Sequence, residues 1–345
     1  MKETVDMRNA VKTAVISAAV AAAAVAIERT VAAPHYRGHV SDHFDGERFR
    51  NRERAVRQGS FWKWQFTREP GFWPAWVDAQ PGPRPPERVG DQTLRVTFIN
   101  HATMLIQLDG LNVLTDPIWS DRTSPVSWAG PKRHRPPGIC FDDLPPIDVV
   151  VVSHNHYDHL DLPTLRRLEL RDHPRILTPL GNGALMRRYG IEGAIELDWW
   201  QRNDRITLVP ARHFCARAIS DRDRNLWGGF VISGSAGNVY FAGDTGWGAH
   251  FAEIGERFAP IRAALLPIGA YLPRWFMQPV HIDPAQAVDA HLALGARTSI
   301  PMHYGTFALG DDGIDDPLRD LQSALAAKGH PHFVILENGE GRDLP

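Results

Sequence analysis

The 345-residue sequence contains only two cysteines, Cys140 and Cys215, and neither belongs to a Cys-x-x-Cys pair. Two isolated cysteines are too few for a disulfide framework and do not form a thiolate zinc motif. Any metal bound by this chain must therefore be held by histidine and carboxylate side chains. Charge of one sign is also lacking, because 38 basic and 40 acidic residues leave a net charge of −2. No nucleic-acid partner is expected from this balance.

The sequence has no apolar run as long as the roughly 20 residues of a usual membrane span. Its longest candidate is residues 13–27, an uncharged stretch of mostly Ala and Val that follows a weakly basic start. This length is typical of a signal-peptide core, and Val31-Ala32-Ala33 offers small residues suited to cleavage. Residues 1–34 are therefore predicted to be a signal peptide or a retained N-terminal membrane anchor. The predicted location is the bacterial periplasm or the inner membrane face, with an Ala-rich cytoplasmic helix as the alternative.

Residues 35–90 are predicted to form an aromatic- and Pro-rich N-terminal arm and linker. Aromatic residues concentrate at 61–64 and 72–76, and a Pro-Gly-Pro-Arg-Pro-Pro stretch at 81–86 breaks the pattern. We expect most of these aromatics to cover the main domain, since aromatic side chains bury large areas in ordinary cores. Contact with lipid is the alternative.

Residues 91–345 are predicted to form one α/β domain in which strands outnumber helices. The predicted strands are 94–99, 104–108, 112–115, 148–153, 175–178, 195–197, 205–209, 229–232, 239–242, 263–267, 298–301 and 332–336. Helices are predicted near 162–169, 284–294 and 317–327. The uninterrupted apolar run at 149–152, within the strand predicted at 148–153, indicates a strand buried on both faces of a layered domain.

A dense group of metal-ligand side chains follows that buried strand, in the run Ser153-His154-Asn155-His156-Tyr157-Asp158-His159. Residues two apart in an extended loop point the same way, so His154 and His156 can share one cation. Asp158 and His159 are then placed for a neighbouring cation. A single histidine would be an ordinary core or surface residue, but three histidines and an aspartate packed together indicate a site for two adjacent metals.

Three more candidate ligands, His213, Asp244 and His303, each follow a predicted strand. Strand ends commonly converge on a cleft, so the folded chain can bring these residues to the same place. Gly243 and Gly246 flank Asp244 and would allow close backbone approach around its carboxylate, as a bridging ligand requires.

These motifs resemble those of the metallo-β-lactamase superfamily, in particular its branch of N-acylphosphatidylethanolamine-hydrolysing phospholipases D. Residues 153–161, SHNHYDHLD, carry the HxHxDH signature of the superfamily. More specific to the branch are ELDWW at 196–200, PRWFM at 273–277 and HYGTFAL at 303–309. The resemblance spans roughly residues 95 to 340 and implies the αββα four-layer sandwich.

The resemblance also implies the cofactors and the role of each site residue. The implied cofactors are two Zn²⁺ ions with a bridging hydroxide, although iron or manganese also suits such ligands. One zinc would be held by His154, His156 and His213, the other by Asp158, His159 and His303, with Asp244 bridging both. Asp116 would orient ligands, Asp158 and His281 are the catalytic candidates, and Tyr271, Arg274, Trp275 and Phe276 would line the headgroup entrance.

The predicted function is hydrolysis of N-acylphosphatidylethanolamine to N-acylethanolamine and phosphatidic acid, with a phospholipid or other phosphodiester substrate and a membrane surface as partners. An oligomer is compatible with the sequence. One departure from the branch pattern is Val280, which stands where a Gln precedes the His-x-Asp-Pro stretch at 281–284. It keeps open a metal-dependent lactonase or a soluble-ester phosphodiesterase of the same fold. A non-catalytic zinc protein is a more remote alternative, because saturated structural sites usually have four protein ligands around a single ion.

Overall fold

Two β-sheets form the centre of the computed structural model, which describes residue 28, residues 30–53 and residues 59–345. The first sheet has seven strands in the order β13-β1-β2-β3-β4-β5-β6. Their bounds are β1 Leu94–Asn100, β2 Thr103–Leu108, β3 Leu111–Thr115, β4 Val149–Val151, β5 Arg175–Pro179, β6 Ile195–Leu197 and β13 Gly341–Leu344. Strands β13 to β3 pair antiparallel, and β3 to β6 pair parallel.

The second sheet has six strands in the order β12-β11-β10-β9-β8-β7. Their bounds are β7 Arg202–Asn203, β8 Ile206–Val209, β9 Gly229–Ile232, β10 Asn238–Phe241, β11 Ile261–Pro267 and β12 Thr298–Met302. Strands β10, β11 and β12 are parallel, and two antiparallel steps through β9 give β8 the same direction. The carboxyl ends of β8, β10, β11 and β12 therefore lie at one edge of the sheet.

The helices of the described residues are mostly short. Their bounds are α1 Phe61–Phe66, α2 Leu162–Asp172, α3 Gly183–Arg188, α4 His250–Phe258, α5 Arg274–Met277, α6 Pro284–Leu294 and α7 Asp316–Ala327, with a 3-10 turn at Phe141–Asp143. Helix α6 begins at a capping box formed by Asp283 and Gln286 and ends at Gly295 in the left-handed conformation. Within the described part of the chain, no helix is long and apolar enough to cross a membrane.

Strand β4 shows how the layers are stacked, because its side chains alternate between two apolar cores. Val149 and Val151 belong to the large core between the sheets, whereas Val150 and Val152 pack with α2 on the outer face. On the far side, α4, α6 and α7 contribute buried residues against the second sheet. The predicted αββα four-layer sandwich is confirmed.

Most predicted strands are present within one or two residues, but the strand predicted at 332–336 is wrong. Residue Phe333 makes only an isolated bridge to Ser299 at the edge of β12, and the last strand is β13, which pairs with β1 of the other sheet. The chain leaves β12 after this one contact and turns at residues 337–340 to reach the first sheet. Helix α4, with buried His250, Phe251 and Ile254, was not predicted.

The N-terminal region is only partly described. Most of the predicted signal or anchor segment lies outside the described residues, which include residue 28 and residues 30–34 of it. In the following arm, Phe44 and Phe49 join the core between the sheets. The aromatic side chains of α1 behave differently, since Trp64 is buried but Phe61 and Trp62 remain largely exposed.

Candidate metal centre

The candidate ligands meet because the strands that precede them point the same way. His213 follows β8, Asp244 follows β10 and His303 follows β12, all at one edge of the second sheet. His154 follows β4 of the first sheet, and its neighbour Ser153 faces Gly243 so closely that an added Cβ would lie 2.6 Å from the Ser153 Cβ. Gly243, at φ 59°, therefore allows the two sheets to approach each other at the site.

Asp244 lies at the centre of the group. Its Oδ1 is 3.2 Å from Nε2 of His303, and its Oδ2 is 3.2 Å from Nε2 of His159. The same Oδ2 is 3.7 Å from Nε2 of His213, 3.9 Å from Nδ1 of His281 and 4.0 Å from Nε2 of His154. One carboxylate that reaches both halves of the site has the position of a bridging ligand.

The remaining candidate ligands divide into two clusters around Asp244. In the first, Nδ1 of His156 lies 2.8 Å from Nε2 of His154 and 3.3 Å from Nε2 of His213. In the second, Oδ2 of Asp158 lies 3.1 Å from Nε2 of His159 and 3.4 Å from Nε2 of His303. These are the two sets that the sequence resemblance implies.

The donor atoms fit divalent cations better than they fit one another. Among the described residues, Nε2 of His159, Nε2 of His303 and Oδ1 of Asp244 are buried and face oppositely charged atoms, but none of the three makes a hydrogen bond of good geometry. Buried polar atoms normally have a partner, and a coordinated cation would supply it. The set of neutral nitrogen and carboxylate oxygen donors is the one that zinc and similar ions bind.

The electrostatics of the site point to the same conclusion. Burial lowers the pKa of His156 to about 3 and holds the pKa values of His154 and His213 well below the ordinary range, so these imidazoles are neutral, as ligands must be. Burial opposes protonation of His303 as well, but Asp244 and Asp158 outweigh it and raise the pKa to about 9. His303 of the second cluster is therefore protonated, because the carboxylates of Asp244 and Asp158 stabilise a positive charge there.

Asp116 makes hydrogen bonds that hold two of the candidate ligands in place. Its fully buried carboxylate accepts hydrogen bonds from the amide of Ser153 at 2.7 Å, the hydroxyl of Ser153 at 2.6 Å and Nδ1 of His159 at 2.7 Å. The hydroxyl of Ser153 also lies 2.9 Å from Nδ1 of His154. A proton on Nδ1 of each histidine leaves both Nε2 atoms free for metal. Burial raises the pKa of Asp116, although the three donors work against this.

His101 is a site residue that the sequence did not reveal. It lies in the turn after β1 with a left-handed φ of 48°, is fully buried, and places Nε2 2.9 Å from Oδ2 of Asp158. Burial lowers the pKa of His101 to about 3, so the neutral ring donates this hydrogen bond and orients the carboxylate. An isolated histidine beside a tight turn carries no spacing signal.

A cavity of about 900 Å³ opens onto Asp158, Asp244, His281 and His303, and we call it the active-site cavity. Most of its wall is apolar and comes from α1, the loop after β8 and the region around α5; it includes Phe61, Trp62, Trp64, Phe214, Ile219, Phe276, Met277 and Leu309. The basic side chains of Arg217 and Arg222 also border it.

Of the four residues predicted to contact substrate, only Phe276 lines this cavity. The hydroxyl of Tyr271 donates to Asp320, and the ring of Trp275 packs near Gly59 and under Lys63. Arg274 faces the start of α6, where its Nε lies 3.2 Å from Asp283, and it also donates to the carbonyl of His281 at 3.1 Å. Helix α5 has a single turn that presents Phe276 and Met277 to the cavity, and Tyr271 lies before the helix with its hydroxyl toward Asp320. Tyr271, Arg274 and Trp275 therefore do not line the cavity as the sequence led us to expect.

Comparisons with known proteins agree with this architecture. The model of the family described as "Beta-lactamase superfamily domain" matches residues 111–304. The "N-acyl-phosphatidylethanolamine-hydrolyzing phospholipase D 1" of Caenorhabditis elegans is 40% identical over 266 residues, covering 72% of this chain and 75% of that protein. The mitochondrial protein of the same activity name from Saccharomyces cerevisiae is 33% identical, covering 66% of this chain and 50% of the yeast protein. Among solved structures, a metallo hydrolase of the archaeon Ignicoccus hospitalis has a TM-score of 0.54 at 24% identity, covering 74% of this chain and 99% of that one.

Proposed function

The chain belongs to the beta-lactamase superfamily and is a metal-dependent hydrolase of the metallo-β-lactamase fold, and from that premise we propose that it is a dinuclear zinc phosphodiesterase. Its proposed reaction is phospholipase D-type hydrolysis of N-acylphosphatidylethanolamine. Water attacks phosphorus, the bond from phosphorus to the ethanolamine oxygen breaks, and that oxygen takes up a proton. The products are phosphatidic acid and N-acylethanolamine. A membrane surface and the exported or inner-membrane location predicted from residues 1–34 are part of this proposal.

The observation that carries the proposal is the active-site cavity itself. It joins the carboxylates of Asp158 and Asp244 to a long apolar wall, and its volume of about 900 Å³ is at the upper end of the range for small-molecule pockets. Apolar walls next to a hydrolytic centre suit a substrate that has acyl chains beside a phosphodiester. The activity named for the nematode and yeast relatives supports the same substrate.

When bound, two zinc ions would supply Lewis-acid activation of water and would neutralise charge on the phosphoryl oxygens. His154, His156 and His213 would hold one ion, Asp158, His159 and His303 the other, and Asp244 both. The chain adds orientation: Asp116 and Ser153 set the tautomers of two histidines, and His101 fixes one oxygen of Asp158. Asp158 also borders the cavity, so its carboxylate is placed to accept a hydrogen bond from the attacking water.

His281 is proposed to act on the substrate rather than on the metals. It borders the cavity, and its Nδ1 lies 3.9 Å from Oδ2 of Asp244. Burial lowers the pKa of His281 to about 4, so its ring is neutral at pH 7 in the absence of substrate. A neutral ring donates a hydrogen bond to a phosphoryl or leaving oxygen. Protonation of the leaving group by His281 would require the negative phosphodiester beside it.

The apolar side chain of Val280 is compatible with the alternative substrates, a lactone or a soluble phosphodiester. Its side chain borders the cavity and contributes no hydrogen bond there, while its carbonyl lies 2.9 Å from Nδ1 of His213 and orients that ligand. A site without a polar side chain at this position suits a lactone or a soluble phosphodiester as well, because the same activated water attacks a carbonyl or a phosphorus.

The test is hydrolysis of N-acylphosphatidylethanolamine in mixed micelles by the zinc-loaded full chain, with both products measured by mass spectrometry. We expect N-acylethanolamine and phosphatidic acid in equal amounts, loss of activity in His156→Ala, and normal activity in His39→Ala, which removes an exposed histidine. A soluble diester and a lactone are assayed in parallel. Turnover of lactones alone would rule the phospholipase function out.

A further inference from the structure

The described N-terminal residues form part of the active-site cavity. Glu28 and Val31 contribute to its wall, on the same cavity as Phe61 and Trp62 of α1. The amide of Ser220 donates to Oε1 of Glu28 at 2.7 Å. The segment that the sequence suggested as removable therefore borders the space in which substrate is proposed to bind.

A single buried carboxylate joins this segment to the cavity loop. Asp221, which is 1% exposed, accepts the amide of Ala33 through Oδ2 at 2.6 Å. Its Oδ1 accepts the amides of Arg217 and Ala218, each at 3.0 Å. The carboxylate of Asp221 thus binds the N-terminal segment through one oxygen and the loop that borders the cavity through the other.

Further contacts extend the attachment on both sides of Ala33. The guanidinium of Arg188 donates to the carbonyl of Ala32 at 2.9 Å, and the side-chain amide of Asn225 donates to the carbonyl of Pro34 at 3.1 Å. Ala33 itself is buried with the apolar residues that pack around α2. Cleavage after Ala33 would remove Glu28 and Val31 from the wall and leave Oδ2 of Asp221 buried without its amide donor.

The rim of the same cavity has the features of a lipid-contacting surface. Phe61, Trp62 and Ile219 border it and are 50%, 65% and 90% exposed. Large apolar side chains are seldom left exposed together at a pocket mouth unless they contact a partner. Arg217 and Arg222 also border the cavity, where the guanidinium of Arg217 stacks on Tyr157 and that of Arg222 stacks on Phe214.

We infer that residues 28–36 remain in the mature enzyme, where Glu28 and Val31 form part of the cavity wall, and that the exposed rim of Phe61, Trp62 and Ile219 contacts a lipid bilayer. Aromatic side chains are favoured at the headgroup level of a bilayer. The choice of lipid as the occupant rests on the phospholipase function proposed above.

The first experiment is intact-mass measurement of the mature protein that a bacterial host produces from the full-length sequence. We expect a chain that retains residues 28–36. A mature chain that begins after residue 28 would overturn the inference.

The second experiment measures partition of the full chain onto vesicles of phosphatidylcholine and phosphatidylglycerol that contain no N-acylated lipid. We expect the rim variant Phe61→Ser/Trp62→Ser/Ile219→Ser to lower the partition coefficient by about tenfold or more. The matched control Leu170→Ser/Leu292→Ser removes two exposed leucines from helices away from the cavity and should partition like wild type.

Equal loss of partition in the control and the rim variant, or wild-type partition by the rim variant, would refute a specific membrane face. These readouts contain no substrate. If the proposed phospholipase reaction were not observed, the mass and partition results would therefore still stand. If the mass or partition result contradicted the inference, the hydrolysis assay would still test the phospholipase function.

Discussion

Replacing Asp116 with asparagine should damage both metal clusters, although Asp116 contacts neither cation site directly. The amide has nearly the shape of the carboxylate, so the change alters hydrogen-bond polarity rather than packing. Its oxygen must stay opposite the amide of Ser153, which lies 2.7 Å from Oδ1. The new NH₂ group then replaces Oδ2, which now accepts from both the Ser153 hydroxyl and Nδ1 of His159.

The new donor reverses two tautomers. Nδ1 of His159 must become an acceptor, which moves the ring proton to the Nε2 that faces Asp158 and Asp244. The Ser153 hydroxyl must accept from the introduced NH₂ group and therefore donate to Nδ1 of His154, which places a proton on its Nε2 as well. Two ligands then present a proton where each should present a lone pair.

Loss of one such orienting partner costs about 10- to 100-fold in metal affinity. Because two ligands are affected, we expect a value near 100-fold, or about 2.7 kcal/mol. Zinc affinity is measured by competition with a chromophoric chelator and metal content by mass spectrometry. The matched control is Asp161→Asn, which changes another buried aspartate that accepts from Ser120 and Thr164 away from the site. A folded Asp116→Asn protein that binds two zinc ions as tightly as wild type would refute the tautomer argument.

Three further outcomes are expected. His101→Ala should lower kcat/KM by about tenfold with zinc content retained, because Asp158 loses its orienting hydrogen-bond donor. His101→Gln should recover part of this loss. Equal kcat/KM values for wild type and both variants would contradict the prediction. The ring of His43 lies 2.7 Å from the carboxylate of Asp198 and also contacts Asp42. Burial opposes protonation of His43, but the two carboxylates outweigh it and raise the pKa of His43. The stabilisation by protonated His43 is therefore present below about pH 6.5 and is lost as pH rises through the raised pKa. Melting temperatures from about pH 6 to pH 9 should fall less in His43→Gln than in wild type. Removal of metal with EDTA should lower the melting temperature, and added zinc should restore it. The reason is that zinc at about 100 times its Kd adds about 2.7 kcal/mol to the free energy of unfolding. An unchanged melting temperature would argue against a metal bound in the native state.

Much of the site follows from short-range pattern. His154, His156, Asp158 and His159 are neighbours in the chain, so a buried strand followed by a turning loop is enough to group them. His213, Asp244 and His303 required a further step, that strands of a layered domain run parallel and end at one edge. That step was right because β8, β10 and β12 do share a direction.

The substrate residues were less predictable because aromatic and basic residues beside a site motif can face either way. Arg274 turns toward Asp283 at the start of α6, and Tyr271 toward Asp320. A one-turn helix such as α5 has no periodicity long enough to show which face is buried. The cleavage motif at residues 31–33 is equally local, and it gives no sign that the amide of Ala33 is held by Asp221.

The sequence by itself determined the fold class, the ligand types and the pairing of His154 with His156, since these depend on composition, strand pattern and neighbours in the chain. Only the tertiary structure decided that Asp244 reaches five histidines, that His101 orients Asp158 and that Glu28 and Val31 line the cavity. Each of these depends on contacts between residues far apart in the chain or on the direction of a side chain. No local pattern encodes such contacts, because they arise where two sheets and their loops pack together.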